Sequence, residues 1–208
     1  MNKKVFVIGG GTSLRDFDFN KVKDETTIAV NKSYYHVPNL NYFVTIDFTV
    51  LRKIGNNINS PATKIFIANF SVPSLQEIDG RIIDTRWNLV YDLKAFDIII
   101  KSRKKDGIGF TFKDFRTGGN SGYCALQLAI ALGYTEINLL GMDLVVNNGT
   151  HFHGGYGELP QTFSKKLDPY YDSFRKGLEE LKIKRPDIKV YSCSKISRLN
   201  SILEYKEI

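Results

Sequence analysis

Two histidines stand two residues apart in Gly149-Thr150-His151-Phe152-His153-Gly154-Gly155-Tyr156. In an extended loop such a pair projects to one side, which suits a general base, a phosphate donor or half of a metal site. The plain alternative is two solvated loop histidines. Two ligands do not make a metal site, and no CxxC or HExxH spacing accompanies them, so no bound metal is expected from the pattern. The chain has 3 histidines in all, and two of them fall in this glycine-rich loop just past an apolar run.

Two carboxylates follow apolar runs elsewhere, Asp47 after Tyr42–Ile46 and Asp143 after Glu136–Met142. At strand ends they could hold sugar hydroxyls or a divalent ion, or else cap the next turn. Gly9, Gly10, Gly11, Thr12 and Ser13 follow the first apolar run. Glycines there permit close backbone approach or positive φ, and the hydroxyls can bind phosphate or cap a helix. The pattern lacks the third glycine of the dinucleotide fingerprint, since Leu14 takes its place, so an ordinary tight turn is the rival reading. Asn31 also follows a run, with an amide able to read a base or ribose, or to form a turn.

The strongest signal is Thr117-Gly118-Gly119-Asn120-Ser121, opening an almost wholly apolar segment, followed by Gly133 and a run that ends on Asp143. A glycine-rich turn before a helix leaves unpaired N–H groups at the positive end of the helix dipole, where an anion such as phosphate binds.

Elements must place these residues. Lys4–Ile8, Thr27–Val30, Tyr42–Ile46, Lys64–Ala68, Asn88–Tyr91, Glu136–Leu140 and Ile188–Tyr191 read as strands. Most do not alternate, which predicts burial on both faces and a mostly parallel sheet. Short helices are expected near Leu14–Val22 and Thr49–Ile54. A buried helix follows Asn120, and an amphipathic one carries Phe174, Leu178 and Leu181 inward, with Asp168 as N-cap, Pro169 in its first turn and Pro186 beyond its end. The segment Asp79–Gly109 is expected to hold a strand with an irregular insertion. The fold class is therefore α/β, a single Rossmann-like domain over residues 1–208 with helices on both faces of the sheet.

Composition narrows the classes further. At 208 residues, 42% hydrophobic and 25% charged, the chain is ordinary globular rather than disordered. No run approaches the roughly 20 apolar residues of a membrane span, and the N-terminus runs directly into a strand, which predicts a cytoplasmic protein. Cys124 and Cys193 give neither a disulfide framework nor a metal spacing. The net charge of +7 favours anionic partners, and part of it lies in Lys101, Arg103, Lys104 and Lys105, a solvated loop or a lid over phosphates.

Gly9–Leu14, Val30-Asn31, Thr117–Gly122, Ala129–Ile137 and Gly141–Asp143 together resemble the bacterial lipooligosaccharide sialyltransferases. They are also similar to the superfamily containing the flagellin motility accessory glycosyltransferases and the 6-hydroxymethylpterin diphosphokinases. The resemblance implies that Gly10, Ser13, Asn31 and Thr117–Ser121 hold a cytidine nucleotide. It also implies a histidine base acting on the acceptor hydroxyl, tyrosines stabilising the departing phosphate, and no metal in the chemical step. The chain departs from that pattern at the base: Phe163 or Ser164 stands where the family histidine belongs, while His151 and His153 lie earlier, near the place of a phosphate-binding tyrosine. By the same resemblance, the segment in the place of the family's acceptor-binding insertion is short.

The expected function is sugar transfer from a nucleotide-sugar to an unidentified acceptor, with His151 or His153 as base or phosphate donor. A Mg²⁺-dependent diphosphokinase using ATP, its metal on Asp47 and Asp143, is the alternative. A non-catalytic binder of nucleotide or nucleic acid is the third reading, carried only by charge, and nucleic acid is the least expected partner. A homo-oligomer is compatible with the sequence.

Overall fold

The computed structural model describes residues 3–48, 50, 61–70, 74–79, 81–85, 89–91, 93, 96–102 and 105–208. Its strands are β1 (Lys4–Ile8), β2 (Thr27–Val30), β3 (Tyr42–Thr45), β4 (Thr63–Asn69), β5 (Leu75–Ile78), β6 (Arg81–Asp84), β7 (Leu89–Tyr91), β8 (Ile98–Ser102), β9 (Glu136–Leu140), β10 (Lys189–Ser192) and β11 (Glu204–Tyr205). Three α-helices are described, α1 (Ser121–Ala131), α2 (Pro160–Ser164) and α3 (Leu167–Lys184).

Eight strands make one sheet in the order β11-β10-β9-β1-β2-β3-β4-β8, with every neighbouring pair parallel. The unbroken apolar runs follow from this topology. Val5 and Val7 enter the core on one face of β1 while Phe6 and Ile8 enter the core on the other, and Ile65 and Ile67 divide from Phe66 and Ala68 in the same way on β4. A central parallel strand has no solvent face, so both sets of alternate side chains must be apolar.

The chain moves outward from β1 through β2, β3 and β4, and β9 then pairs on the opposite side of β1. Connections therefore leave the carboxyl ends of β1 and β9 in opposite directions. Loops diverge at such a point and open a crevice, the usual ligand position of a doubly wound sheet.

Helix α1 packs against β1, β2, β3 and β9. All its residues from Ser121 to Ile130 are buried, which explains why it is apolar nearly all round. Asn120 is its N-cap, and the side-chain oxygen accepts from the Tyr123 amide at 2.7 Å. The helix ends in a Schellman motif: Gly133 at φ 81° donates to the Ile130 carbonyl at 2.9 Å, and Tyr134 donates to Ala129 at 3.1 Å. Helix α3 lies over α1 with Leu167, Phe174, Gly177, Leu178 and Leu181 buried. At Gly177 the approach is close enough that a Cβ would stand 1.9 Å from the Tyr123 hydroxyl oxygen.

Several local expectations are corrected. Leu14–Val22 is not one helix but two 3-10 turns, Thr12–Leu14 and Phe19–Val22, the second capped by Asp18 accepting from Asn20 N at 3.0 Å. Asp168 is not the N-cap of α3, because the buried Leu167 already belongs to the first turn and Lys166 takes the capping position. The Asp168 carboxylate instead accepts from Arg198. Apart from Val50, the helix expected at Thr49–Ile54 lies outside the described residues. Of the run Asn88–Tyr91, Asn88 lies outside the described residues and Leu89–Tyr91 is not in the main sheet but is β7 of a separate antiparallel sheet ordered β5-β6-β7. Ile98–Ser102, within the Asp79–Gly109 segment, is the edge strand β8, where half-exposed Ile98 and Ile99 blur the buried-strand pattern.

Candidate functional site

A cavity of about 460 Å³ opens at the carboxyl edge of the sheet. Of the residues singled out from sequence, Gly9, Gly10, Gly11, Asn31, Asp47, Gly119, Asn120, Ser121, Asp143 and His151 line it. Thr12, Ser13, Thr117, Gly118 and His153 flank it without lining it.

The glycine loop is fixed by continuing the β1–β9 pairing beyond the strands. Gly9 donates to Leu140 and Gly11 to Gly141, both at 2.8 Å. Contrary to one expectation, none of Gly9, Gly10 and Gly11 has positive φ. Glycine is required by proximity: a Cβ would stand 2.5 Å from the Gly141 carbonyl oxygen at Gly9, 2.8 Å from His151 at Gly10 and 2.4 Å from the Asp143 carboxylate at Gly11. Buried Asp143 braces this loop, accepting from the Ser13 amide at 2.8 Å and from the Ser13 hydroxyl at 2.6 Å. Both its oxygens are thus turned to Ser13, and its contribution is to loop geometry. Among the described residues, no three His, Cys, Asp or Glu side chains converge as a metal-ligand group.

Gly118 and Gly119 do require the left-handed region, at φ 54° and 75°, to turn the chain into α1. Gly118 N donates to Lys105 at 3.0 Å and Asn120 N to Thr117 at 3.2 Å. The amides of Gly119, Ser121 and Gly122 have no acceptor among the described residues, as expected for a linker and first turn that point into a cavity. The side chain of Lys105 passes by Gly119 from outside, so one end of the basic run does reach the helix start. Lys101 instead lies on β8 and pairs with Glu77 at 2.7 Å, while Arg103 and Lys104 fall outside the described residues.

The histidine loop is strapped to the glycine loop by the Phe152 amide, which donates to the Gly10 carbonyl at 3.0 Å. His151 and His153 stack with centroids 5.1 Å apart. His151 Nδ1 lies 3.0 Å from the Thr150 hydroxyl, and neither ring nitrogen of His153 has a hydrogen-bond partner among the described residues. Burial, the neighbouring His153 and Lys32 lower the His151 pKa to about 4. Burial, with Lys32 and His36, lowers that of His153 to about 4 as well. Both rings are neutral at pH 7. In the tautomer whose Nδ1–H donates to Thr150, Nε2 of His151 keeps a free lone pair for a proton.

Nine buried side-chain N or O atoms lack partners among the described residues, and six belong to Thr12, Asn31, Thr117, Asn120 and His153. Asn31 carries an orphaned Oδ1 on a backbone held at φ 53°, strained for a residue other than glycine. Unmet polar capacity concentrated around one crevice is the mark of a polar ligand site.

Lining residues not singled out from sequence as site residues include Tyr156, Glu158, Lys166 and Tyr170. Burial raises the pKa of both phenols, so each remains a neutral donor. Lys166 Nζ pairs with Glu158 at 2.6 Å, and this bond holds the ammonium above its ordinary pKa. Tyr170 had a signal: it precedes Phe174 by one helical turn and so shares the inward stripe of α3, at the end nearest the crevice. Tyr156 and Glu158 lie in a loop whose path no periodicity reports.

The parallel sheet, its switch point and this polar crevice define a doubly wound α/β fold of the Rossmann type. No family model matches the sequence, and neither does any curated protein. Solved structures share the fold. The MAf glycosyltransferase from Magnetospirillum magneticum AMB-1 matches with a TM-score of 0.54 at 14% identity, over 98% of this chain and 33% of its own. This chain thus spans a third of that protein. The sialyltransferase CstII from Campylobacter jejuni, in complex with the substrate analogue CMP-3FNeuAc, matches with a TM-score of 0.53 at 19% identity, over 98% of this chain and 86% of its own. Its complex with cytidine-5'-monophosphate gives 0.50 at 18%, over 98% and 84%.

Proposed function

We propose that this chain is a glycosyltransferase, a single nucleotide-binding domain over residues 1–208 that moves a sugar from a nucleotide-sugar, of the CMP-linked sialyl type, to an acceptor hydroxyl in the cytoplasm. The observation that carries the reading is the union in one crevice of the free amides at Gly119, Ser121 and Gly122, the glycine loop at Gly10, the orphaned polar atoms of Asn31 and Asn120, and the neutral base His151. The amides and helix dipole suit the phosphate, and the two asparagines suit the nucleoside. The shared fold with a sialyltransferase solved with CMP and a CMP-sugar analogue is in keeping with it.

In the reaction the acceptor oxygen bonds to the anomeric carbon as the bond from that carbon to the phosphate oxygen breaks. The electron pair stays on the phosphate, and the acceptor proton passes to His151 Nε2. Tyr156 and Tyr170 supply phenolic donors to the leaving phosphate. His151 takes the base role over His153 because it lines the cavity. It also lies 5.0 Å, centroid to centroid, from Phe163, which with Ser164 is one of the two residues at the place of the histidine in the sialyltransferase pattern. No observation favours the diphosphokinase alternative, which needs Asp143 as a metal ligand where the carboxylate braces Ser13.

The test is thermal unfolding with CMP, UDP, GDP and ATP, each with and without Mg²⁺. A ligand at 100 times its Kd adds about 2.7 kcal/mol, and the cytidine nucleotide is expected to do so without metal. No shift with any of the four refutes the reading. His151→Ala is then expected to lower transfer about 10²- to 10⁴-fold while keeping the nucleotide shift.

A further inference from the structure

Lys166 is the only full positive charge among the described residues that line the cavity, and it is held by a carboxylate, Glu158, that lines the cavity too. The pair joins two segments that the site needs together, the loop after the histidines and the start of α3, where Lys166 is the N-cap residue. Glu158 and Asp47 lie near enough for their charges to act on the Lys166 ammonium, and the neutral Tyr170 phenol stands beside them. The Lys166 side chain is 48% exposed and that of Glu158 23% exposed, so the ammonium can change partner without leaving a sealed core.

A nucleoside phosphate gains negative charge at its oxygen when the sugar departs. Neutral amides and phenols stabilise that charge in part, whereas an ammonium matches it with a whole opposite charge. The carboxylates at the cavity, Asp47, Asp84, Asp143 and Glu158, oppose a second anion. A cation that can exchange Glu158 for phosphate offsets both terms.

We infer that Lys166 is the phosphate-neutralising residue of this site and that Glu158 holds it in reserve, releasing it when a nucleotide phosphate enters. This rests on the nucleotide-binding reading above. Lys166 would touch the substrate, and Glu158 is a positioning residue that acts through it. The two partners therefore have opposite effects on phosphate affinity. Removing Lys166 removes the counter-charge, while neutralising Glu158 removes the competitor.

The experiment compares each nucleoside 5'-phosphate with its parent nucleoside, as CMP against cytidine, UMP against uridine, GMP against guanosine and AMP against adenosine, by calorimetric titration without metal. The wild type, Lys166→Met, Lys166→Arg and Glu158→Gln are measured, each first checked for native unfolding behaviour. Lys166→Met is expected to reduce the phosphate-to-nucleoside affinity ratio roughly 10- to 100-fold, the size of one charged hydrogen bond, with nucleoside binding unchanged. Lys166→Arg keeps most of the ratio. Glu158→Gln is expected to raise it roughly two- to fivefold, the scale of a solvent-screened ion pair.

If Lys166→Met leaves the ratio unchanged, the counter-charge role is overturned. If Glu158→Gln lowers it as Lys166→Met does, the pair is a structural tie and the switch is overturned. If the wild type binds none of the eight compounds, the nucleotide reading itself fails and this inference falls with it. A variant that does not fold leaves the conservative Lys166→Arg and Glu158→Gln to decide the matter.

Discussion

Asn120 serves two masters through the two atoms of one amide, and substitution can separate them. Its Oδ1 caps α1 by accepting from Tyr123 N at 2.7 Å, whereas its Nδ2 is buried at the cavity without a partner among the described residues. Asn120→Ala removes both. Loss of the cap costs about 1 kcal/mol, which for a chain of this length lowers Tm by roughly 2–4 °C. Asn120→Asp keeps an oxygen for the Tyr123 amide and adds a negative charge at the helix N-terminus, worth about 0.3–1 kcal/mol in favour of the fold. Its Tm is expected to equal or exceed that of the wild type. The same charge meets the ligand phosphate. Two like charges about 4 Å apart at an effective dielectric near 20 repel by roughly 4 kcal/mol, which exceeds the roughly 2.7 kcal/mol gained from a ligand at 100 times its Kd. Thermal unfolding of wild type and both variants, with and without CMP, reads both effects at once. Asn120→Asp should retain the apo Tm and lose the CMP shift. A loss of apo stability as large as in Asn120→Ala refutes the capping half, and a full CMP shift in Asn120→Asp refutes the placement of phosphate at this helix start.

Two more outcomes follow from packing and titration. His151 and His153, at pKa about 4 in the fold against about 6.5 unfolded, bind fewer protons when folded, so stability is constant above pH 6.5 and declines as pH falls from 6.5 towards 4. Each would cost at most about 2 kcal/mol at pH 5, and partial solvent access brings this to about 1 kcal/mol. Urea unfolding at pH 7 and pH 5 should show the decline, with His153→Phe shallower than wild type; parallel curves for the two would dismiss the assignment. Gly177→Ala brings a methyl to within 1.9 Å of the Tyr123 oxygen, whose hydroxyl donates to Gly107 at 2.7 Å. It should destabilise by about 2 kcal/mol or more in chemical denaturation, and a change below about 0.5 kcal/mol would show that α3 can move away freely.

The glycine loop, the start of α1 and the run to Asp143 were legible because local chemistry fixes them. Apolar β-branched runs make buried strands, an asparagine before an apolar stretch caps a helix, and Gly133 ends it through a left-handed turn. From that order the sequence by itself determined a parallel α/β sheet with its candidate residues at the strand ends. It did not determine which of them face the cavity. Asp143 was a candidate ligand in sequence and is a brace for Ser13 in the fold, because a carboxylate at a strand end serves whichever donor tertiary packing brings to it. The strands β5, β6 and β8 do not read as strands in the sequence, and Leu89–Tyr91 reads as part of the main sheet, since short, half-exposed strands lack the continuous apolar pattern. Tyr156, Glu158, Lys166 and Tyr170 gained their place only when the loop after the histidines folded back over the crevice. Spacing along the chain set the neighbours within each element. Meetings across 130 residues, such as Gly10 with His151 and Ser13 with Asp143, depend on how β9 pairs with β1, and that is a property of the sheet rather than of any segment.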